Sequence, residues 1–204
     1  MVKCILCVKK IKFARKCPAL NEVICSTCCG IKKGLEIKCT DDCKYFVESY
    51  IKENKKQIMK LVKESFNNEA DDMYQDGKVL KLVAPFEQFM YDNYYNNKNI
   101  TDDFISDCYT KMFYLLEEKG NIYTFNEVET EIFNKFRIIA KKTNMPMELQ
   151  KLILVRMMKS VDSMTGGMFG NRMYLELLRN NFTGTGIVAD VMGKMWQNVC
   201  GNKQ

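Results

Sequence analysis

The spacing of apolar positions changes once along the chain. Through residue 43, Ile5, Leu6, Ile11, Phe13, Leu20, Val23, Ile24, Ile31, Leu35 and Ile37 are scattered without a helical or strand repeat. Beyond it the pattern becomes helical. Val47, Ile51, Ile58, Leu61 and Val62, with Lys and Glu between them, predict an amphipathic helix running to about Phe66, capped by Thr40 or Asp41. Asn67 to Gly77 is polar and acidic and reads as a linker or loop.

Six further helices follow from the same kind of pattern. Pro85 suits the first position of a helix holding Phe86, Phe89, Met90 and Tyr94. Thr101 caps the next, whose stripe runs through Phe104, Ile105, Cys108, Tyr109, Met112, Phe113 and Leu116, with Gly120 as its stop. Thr124 and Glu127 form a capping box ahead of Val128, Ile132, Phe133, Phe136 and Ile139. Pro146 opens a helix with Leu149, Leu152, Ile153, Arg156 and Met157, and a shorter one covers about Asn171 to Arg179. A last helix after Thr185 carries Ile187, Val188, Val191, Met195 and Trp196. Strand patterns are confined to short pieces of the N-terminal segment. The predicted architecture is mainly α: a cysteine-rich module over 1–45, a connecting helix over 46–66, and an all-helical bundle of five to seven helices over 78–204.

Composition sharpens that division. Eight of the ten cysteines in this 204-residue chain lie in the first 43 positions, and the chain has no histidine. Without an imidazole, Ser-His and Cys-His nucleophile pairs and two-histidine metal motifs are excluded. Cys4-x2-Cys7 and Cys25-x2-Cys28 have the spacing of metal knuckles, in which a tight turn lets both thiolates reach one ion at about 2.3 Å. Cys39-x3-Cys43 is a third, wider pair, and Cys17 and Cys29 bring the count to eight. That number fits two tetrahedral four-thiolate zinc sites, with iron-sulfur ligation as the chemical competitor. The ligands divide in one of two ways. An interleaved arrangement puts Cys4, Cys7, Cys25 and Cys28 on one ion and Cys17, Cys29, Cys39 and Cys43 on the other. A sequential one joins Cys4, Cys7 and Cys17 with one of the second cluster. Adjacent Cys28 and Cys29 favour the first, because neighbouring side chains in an extended segment point apart. A segment this short and this poor in large apolar side chains needs metal in place of a core, so both ions read as structural.

The stretches Cys17-Pro18-Ala19-Leu20, Ile24 to Gly30 and Glu36 to Phe46 resemble a cysteine-rich zinc-finger module found at the start of uncharacterised bacterial proteins with helical bodies. The resemblance covers residues 1–46, about a fifth of the chain. It implies a zinc-binding N-terminus and no activity.

Charge adds a candidate surface. Residues 1–63 hold 15 Lys and Arg against 6 Asp and Glu, formally +9, and the remainder is formally −3. Two four-thiolate zinc sites, each −2, would bring the N-terminal part nearer +5. Lys9, Lys10, Lys12, Arg15 and Lys16 form one cluster, Lys32 and Lys33 another, and Lys55 and Lys56 lie on the connecting helix, with Phe13, Tyr45 and Tyr50 available to stack on bases. The Gly-rich stretch Thr165 to Arg172 leads into a helix start that could hold an anion, although it lacks a Walker ending. Asp102 and Asp103 are accounted for by the helix dipole, and Glu127, Glu129 and Glu131 by a solvated face. No set of residues converges as a catalytic constellation.

The reading is therefore a non-enzymatic zinc-containing interaction protein that docks on a protein partner through its module and its body. The alternative is a nucleic-acid-binding regulator using segment 9–63. No apolar run approaches the roughly 20 residues that cross a bilayer, and no signal-peptide pattern is present. A cytoplasmic protein with no membrane partner is expected.

Overall fold

The computed structural model describes residues 2–67, 72–117, 123–165 and 171–183. Among these residues the chain is mainly helical, with seven α-helices and one two-stranded sheet, as the hydrophobic pattern predicts. It divides into two compact units, residues 1–57 and 58–204.

The first unit opens with a knuckle over residues 4–8, closed by an antiparallel bridge between Lys3 and Lys10. Strands β1 (Ala14–Cys17) and β2 (Glu22–Cys25) pair antiparallel, Ala14 opposite Cys25 and Cys17 opposite Glu22. Asn21 turns the chain between them in the left-handed region (φ 52°), a conformation its short polar side chain tolerates. Helix α1 (Ser26–Lys32) begins where β2 ends. Gly34 (φ 69°) then allows the sharp turn that returns Ile37 beside Lys33. Ile24 and Ile37 are buried chiefly among cysteines, with Ile11 and Tyr45 packed against the cluster. Helix α2 (Lys44–Glu64) starts one residue after Cys43. Thr40 and Asp41 therefore precede the helix rather than cap it: the Cys43 amide donates to the Thr40 carbonyl in a preceding turn.

The second unit contains α3 (Gly77–Tyr94), α4 (Asp102–Leu116), α5 (Glu127–Lys142), α6 (Met147–Thr165) and α7 (Met173–Thr183). Helix α4 packs along α6, and α3 lies between α5 and α7. Phe86 and Phe136 meet edge to face at 5.3 Å in the centre, and Tyr109 meets Tyr174 at 6.4 Å. Cys108 is buried, its sulfur 3.8 Å from that of Met112, and burial pushes its thiol up. It is core, as its place on the α4 stripe implies.

Four local expectations are corrected. Pro85 lies inside α3, which begins eight residues earlier under the Asp76 cap. The buried run Val79, Leu80, Leu82 and Val83 offsets the lost backbone bond, which costs about 3 kcal/mol in an exposed helix. The supposed linker contains a 3₁₀ turn over Met73–Gln75 with Tyr74 buried in it. The capping box uses Asn126 and Glu129, two residues past Thr124 and Glu127, with both reciprocal bonds at 2.9 Å. Alternating glutamates make either register match the motif. Glu129 is consequently not solvated: it is 3 % exposed and bonded to Lys111 at 2.6 Å. Gly120 and the helix expected after Thr185 lie outside the described residues.

Asp102 does more than favour its own helix dipole. Its buried carboxylate accepts from the amides of Met173 (2.7 Å) and Tyr174 (3.1 Å), the first turn of α7. The α7 N-terminus is thereby filled by a protein carboxylate, and Arg172 donates to the carbonyl of Tyr95 at the end of α3. Both groups proposed to hold an anion after the Gly-rich stretch are engaged; its residues 166–170 lie outside the described ones.

Candidate metal centre

Cys4 and Cys7 come from the knuckle, Cys25 from the end of β2, and Cys28 from the first turn of α1. Folding a hairpin against a helix start brings two pairs of thiols face to face. Their four sulfurs lie within 4.8 Å of one another, and Cys7 and Cys25 Sγ are 3.9 Å apart. A tetrahedron with legs of about 2.3 Å has edges of about 3.8 Å, close to the Cys7–Cys25 separation, so the set could close on one metal ion.

The backbone prepares these sulfurs to carry negative charge. The Cys25 amide donates to Cys4 Sγ at 3.3 Å, and the Cys28 amide to Cys25 Sγ at 3.3 Å. Burial alone would push the Cys4 thiol up, but the amides of Cys25, Cys7 and Leu6 outweigh it and bring it down to about 6. The Cys28 amide likewise lowers Cys25. Cys28 moves the other way, to about 12, because its thiol is held by Cys25 and by burial. Four sulfurs this close cannot all ionise without a cation, and a bound cation resolves that conflict.

One backbone feature marks the cost of the knuckle. Val8 sits at φ 58°. A β-branched residue in that region is strained by about 1 to 3 kcal/mol and persists only where its surroundings hold it. Here its amide donates to the Cys4 carbonyl at 2.8 Å, closing the turn that presents Cys4 and Cys7 to the same side.

The remaining four cysteines gather elsewhere in the unit. Cys17, Cys29, Cys39 and Cys43 line one small cavity of about 10 Å³, together with Arg15, Lys16 and Lys33. Their sulfurs do not reach the close mutual approach of the first set. The first set coincides with one half of the interleaved division, and Cys17 lies outside it, against the sequential one.

The basic residues divide into paired and exposed ones. Lys32 pairs with Glu36, and Lys33 donates to Ser49 Oγ. Arg15 lies over the Tyr45 ring at 4.3 Å, and Tyr50 packs against Phe46, so each half-buried tyrosine ring already has a neighbour. Lys9, Lys10, Lys12, Lys16 and Lys56 remain exposed, as does Phe13 at 83 %. Lys55 lies exposed on α2 and has a partner in the fold.

A feature with no sequence signal lies in the second unit. The ends of α4 and α5 and the start of α6 enclose an open groove of about 1160 Å³, lined by Leu115, Phe133, Ile138, Met145 and Met147 among others. Ile138 and Met147 are half exposed on its walls. Most other described methionines, including Met90, Met112, Met157 and Met158, are core. None of the helices in the described residues is long and apolar enough to cross a membrane.

No protein-family model, no curated protein and no solved structure matches the chain.

Proposed function

We propose that the chain is a non-enzymatic interaction protein, folded at its N-terminus around two structural zinc ions and docking on a protein partner through its module and helical body. The observation that carries this reading is the convergence of Cys4, Cys7, Cys25 and Cys28. Four thiolates saturate a tetrahedral ion and leave no position for a reacting water, so such a site holds a fold together rather than performing a reaction. Zinc is preferred because all-thiolate tetrahedral coordination matches its structural sites. The second ion is assigned to Cys17, Cys29, Cys39 and Cys43 from their shared cavity. It would tie β1, α1 and the start of α2 together in a unit whose interior holds few hydrocarbons. The groove of the helical body, with an isoleucine and a methionine half exposed in it, supports a protein partner.

Native mass spectrometry of the full chain, prepared without chelator, tests the metal part. Two bound zinc ions are expected, falling to one in Cys4→Ser/Cys7→Ser and to one in Cys39→Ser/Cys43→Ser. A native chain that binds one ion only, and keeps it in Cys39→Ser/Cys43→Ser, removes the second site. A folded protein free of metal removes the whole reading. For the partner, Ile138→Glu/Met147→Glu should abolish association with whatever protein copurifies. If that protein stays bound, the groove is not its site.

A further inference from the structure

The knuckle that presents Cys4 and Cys7 inward presents only hydrocarbon outward. Ile5, Leu6 and Val8 are 56 %, 37 % and 67 % exposed within a single turn. An exposed aliphatic cluster at a tight, braced tip is unusual on a unit that has so little apolar surface to spare for its own interior. The backbone of the tip faces inward too. The Cys4 amide donates to Lys9, Ile5 to Val23 and Val8 to Cys4. The Leu6 and Cys7 amides are directed at Cys4 Sγ. Three of the five N–H groups of the turn are thus paired with backbone carbonyls, which lowers the cost of entering an apolar medium.

Lysines outnumber acids around this tip, where exposed Glu22 neighbours Val23, whose carbonyl accepts from Ile5. Lys3 and Lys10 face each other across its base, Lys9 follows Val8, and Lys12 lies just beyond. All four are exposed, and the first acidic residue of the chain is Glu22. We propose that this turn is a docking tip for an anionic lipid surface, with Ile5, Leu6 and Val8 entering the headgroup–acyl boundary and Lys3, Lys9, Lys10 and Lys12 resting on the phosphates. Bases need a ring to stack on, and residues 4–8 carry only aliphatic side chains and cysteine; exposed Phe13 follows the lysines in sequence. An aliphatic point with a lysine collar and no direction-specific hydrogen bond suits a fluid, charged surface. Contact of this kind needs no spanning helix, and it revises the expectation that no membrane is among the partners. The proposal rests on the metal-braced reading of the knuckle, since the ion holds the tip in shape.

The test is flotation of the metal-loaded full chain with phosphatidylcholine vesicles containing about one third phosphatidylserine, against pure phosphatidylcholine. The chain should float with the anionic vesicles alone, and less as salt rises. Ile5→Ser/Val8→Ser should weaken partitioning by about tenfold or more. Lys9→Gln/Lys10→Gln should weaken it by about fivefold per lysine. Both variants alter exposed side chains and should keep the native metal content, read by mass on the same samples. A metal-loaded chain that stays below the vesicles overturns the proposal. So does equal flotation on neutral vesicles, or flotation unchanged by the tip substitutions. Loss of a copurifying protein or nucleic acid in the Ile5→Ser/Val8→Ser variant, without flotation of the native chain, reassigns the tip to that partner. Absence of metal in the native sample would instead count against the zinc reading.

Discussion

The two units of this chain solve the same problem with different materials. In residues 58–204 the interior is hydrocarbon: Leu82, Phe86, Ile105, Met112, Ile132, Phe136, Ile153 and Leu154 are fully buried on four helices. In residues 1–57 the buried positions are mainly cysteines, joined by Ile24 and Ile37. Hydrophobic burial scales with area, and a segment of this size has little to bury, so on the proposed reading a few metal–sulfur bonds replace many weak contacts. The difference sets where each unit would be vulnerable: one to the loss of its ions, the other to the loss of shape.

Chelation should separate them most sharply. Structural zinc contributes about 10 to 16 kcal/mol in small metal-folded modules at neutral pH. Removing it should unfold the first unit and leave most of the helical circular dichroism in place, because α3 to α7 have their own core. A collapse of total helix content on chelation would break the comparison. Acid should do the same, since thiolate ligands stabilise the module above their bound-state pKa and release the ion as they protonate.

Phe136→Ala is the converse experiment. It removes the ring that meets Phe86 edge to face and should cost about 4 kcal/mol of body stability. Metal affinity should stay unchanged within error. A matching fall in metal affinity would show that the two units are one cooperative structure.

Glu87 sharpens the description of the body. It is buried on α3, accepts from the Tyr174 hydroxyl at 2.8 Å, and is pushed up to about 7, chiefly by burial. A carboxyl whose folded pKa exceeds its unfolded value binds its proton more tightly when folded. Its contribution is therefore greatest below about 4.3 and is lost as pH rises through 7. Glu87→Gln, which can still accept from Tyr174, should stabilise the body by about 3 kcal/mol at pH above 7 and by little in acid. Denaturant midpoints at two pH values check this, and equal gains at both would exclude titration as the cause.

The smallest expected effect returns to the module. Val8→Gly relieves the left-handed strain and should raise metal affinity by about fivefold, near 1 kcal/mol after the entropy of glycine is counted. No gain in a competition titration would mean that the turn is not strained in solution.

How far the sequence went differs between the same two units. Helix existence in the body was legible because apolar residues at helical spacing have one economical solution, and Thr101 and Pro146 marked starts that the fold uses. Boundaries were less legible where the deciding term lies elsewhere in the chain. Pro85 reads locally as a helix start, yet burial of the residues before it carries the helix through. Glu129 reads as solvated until Lys111, eighteen residues away, supplies its partner. Asp102 reads as a dipole residue until α7 arrives with two unpaired amides.

By itself, the sequence determined that the chain is mainly α, that its N-terminal segment depends on cysteine, and that no imidazole chemistry operates. These are properties of composition and short-range period, and they need no knowledge of what touches what. Only the tertiary structure decided which four cysteines share a centre. Spacing limits a pair of thiols to one turn, but bringing two pairs together depends on how β1, β2 and α1 fold back on the knuckle. The groove of the body and the aliphatic face of the Cys4–Cys7 turn belong to the same class. Each is a matter of what was left uncovered after packing, and exposure is a property of the whole fold rather than of any residue in it.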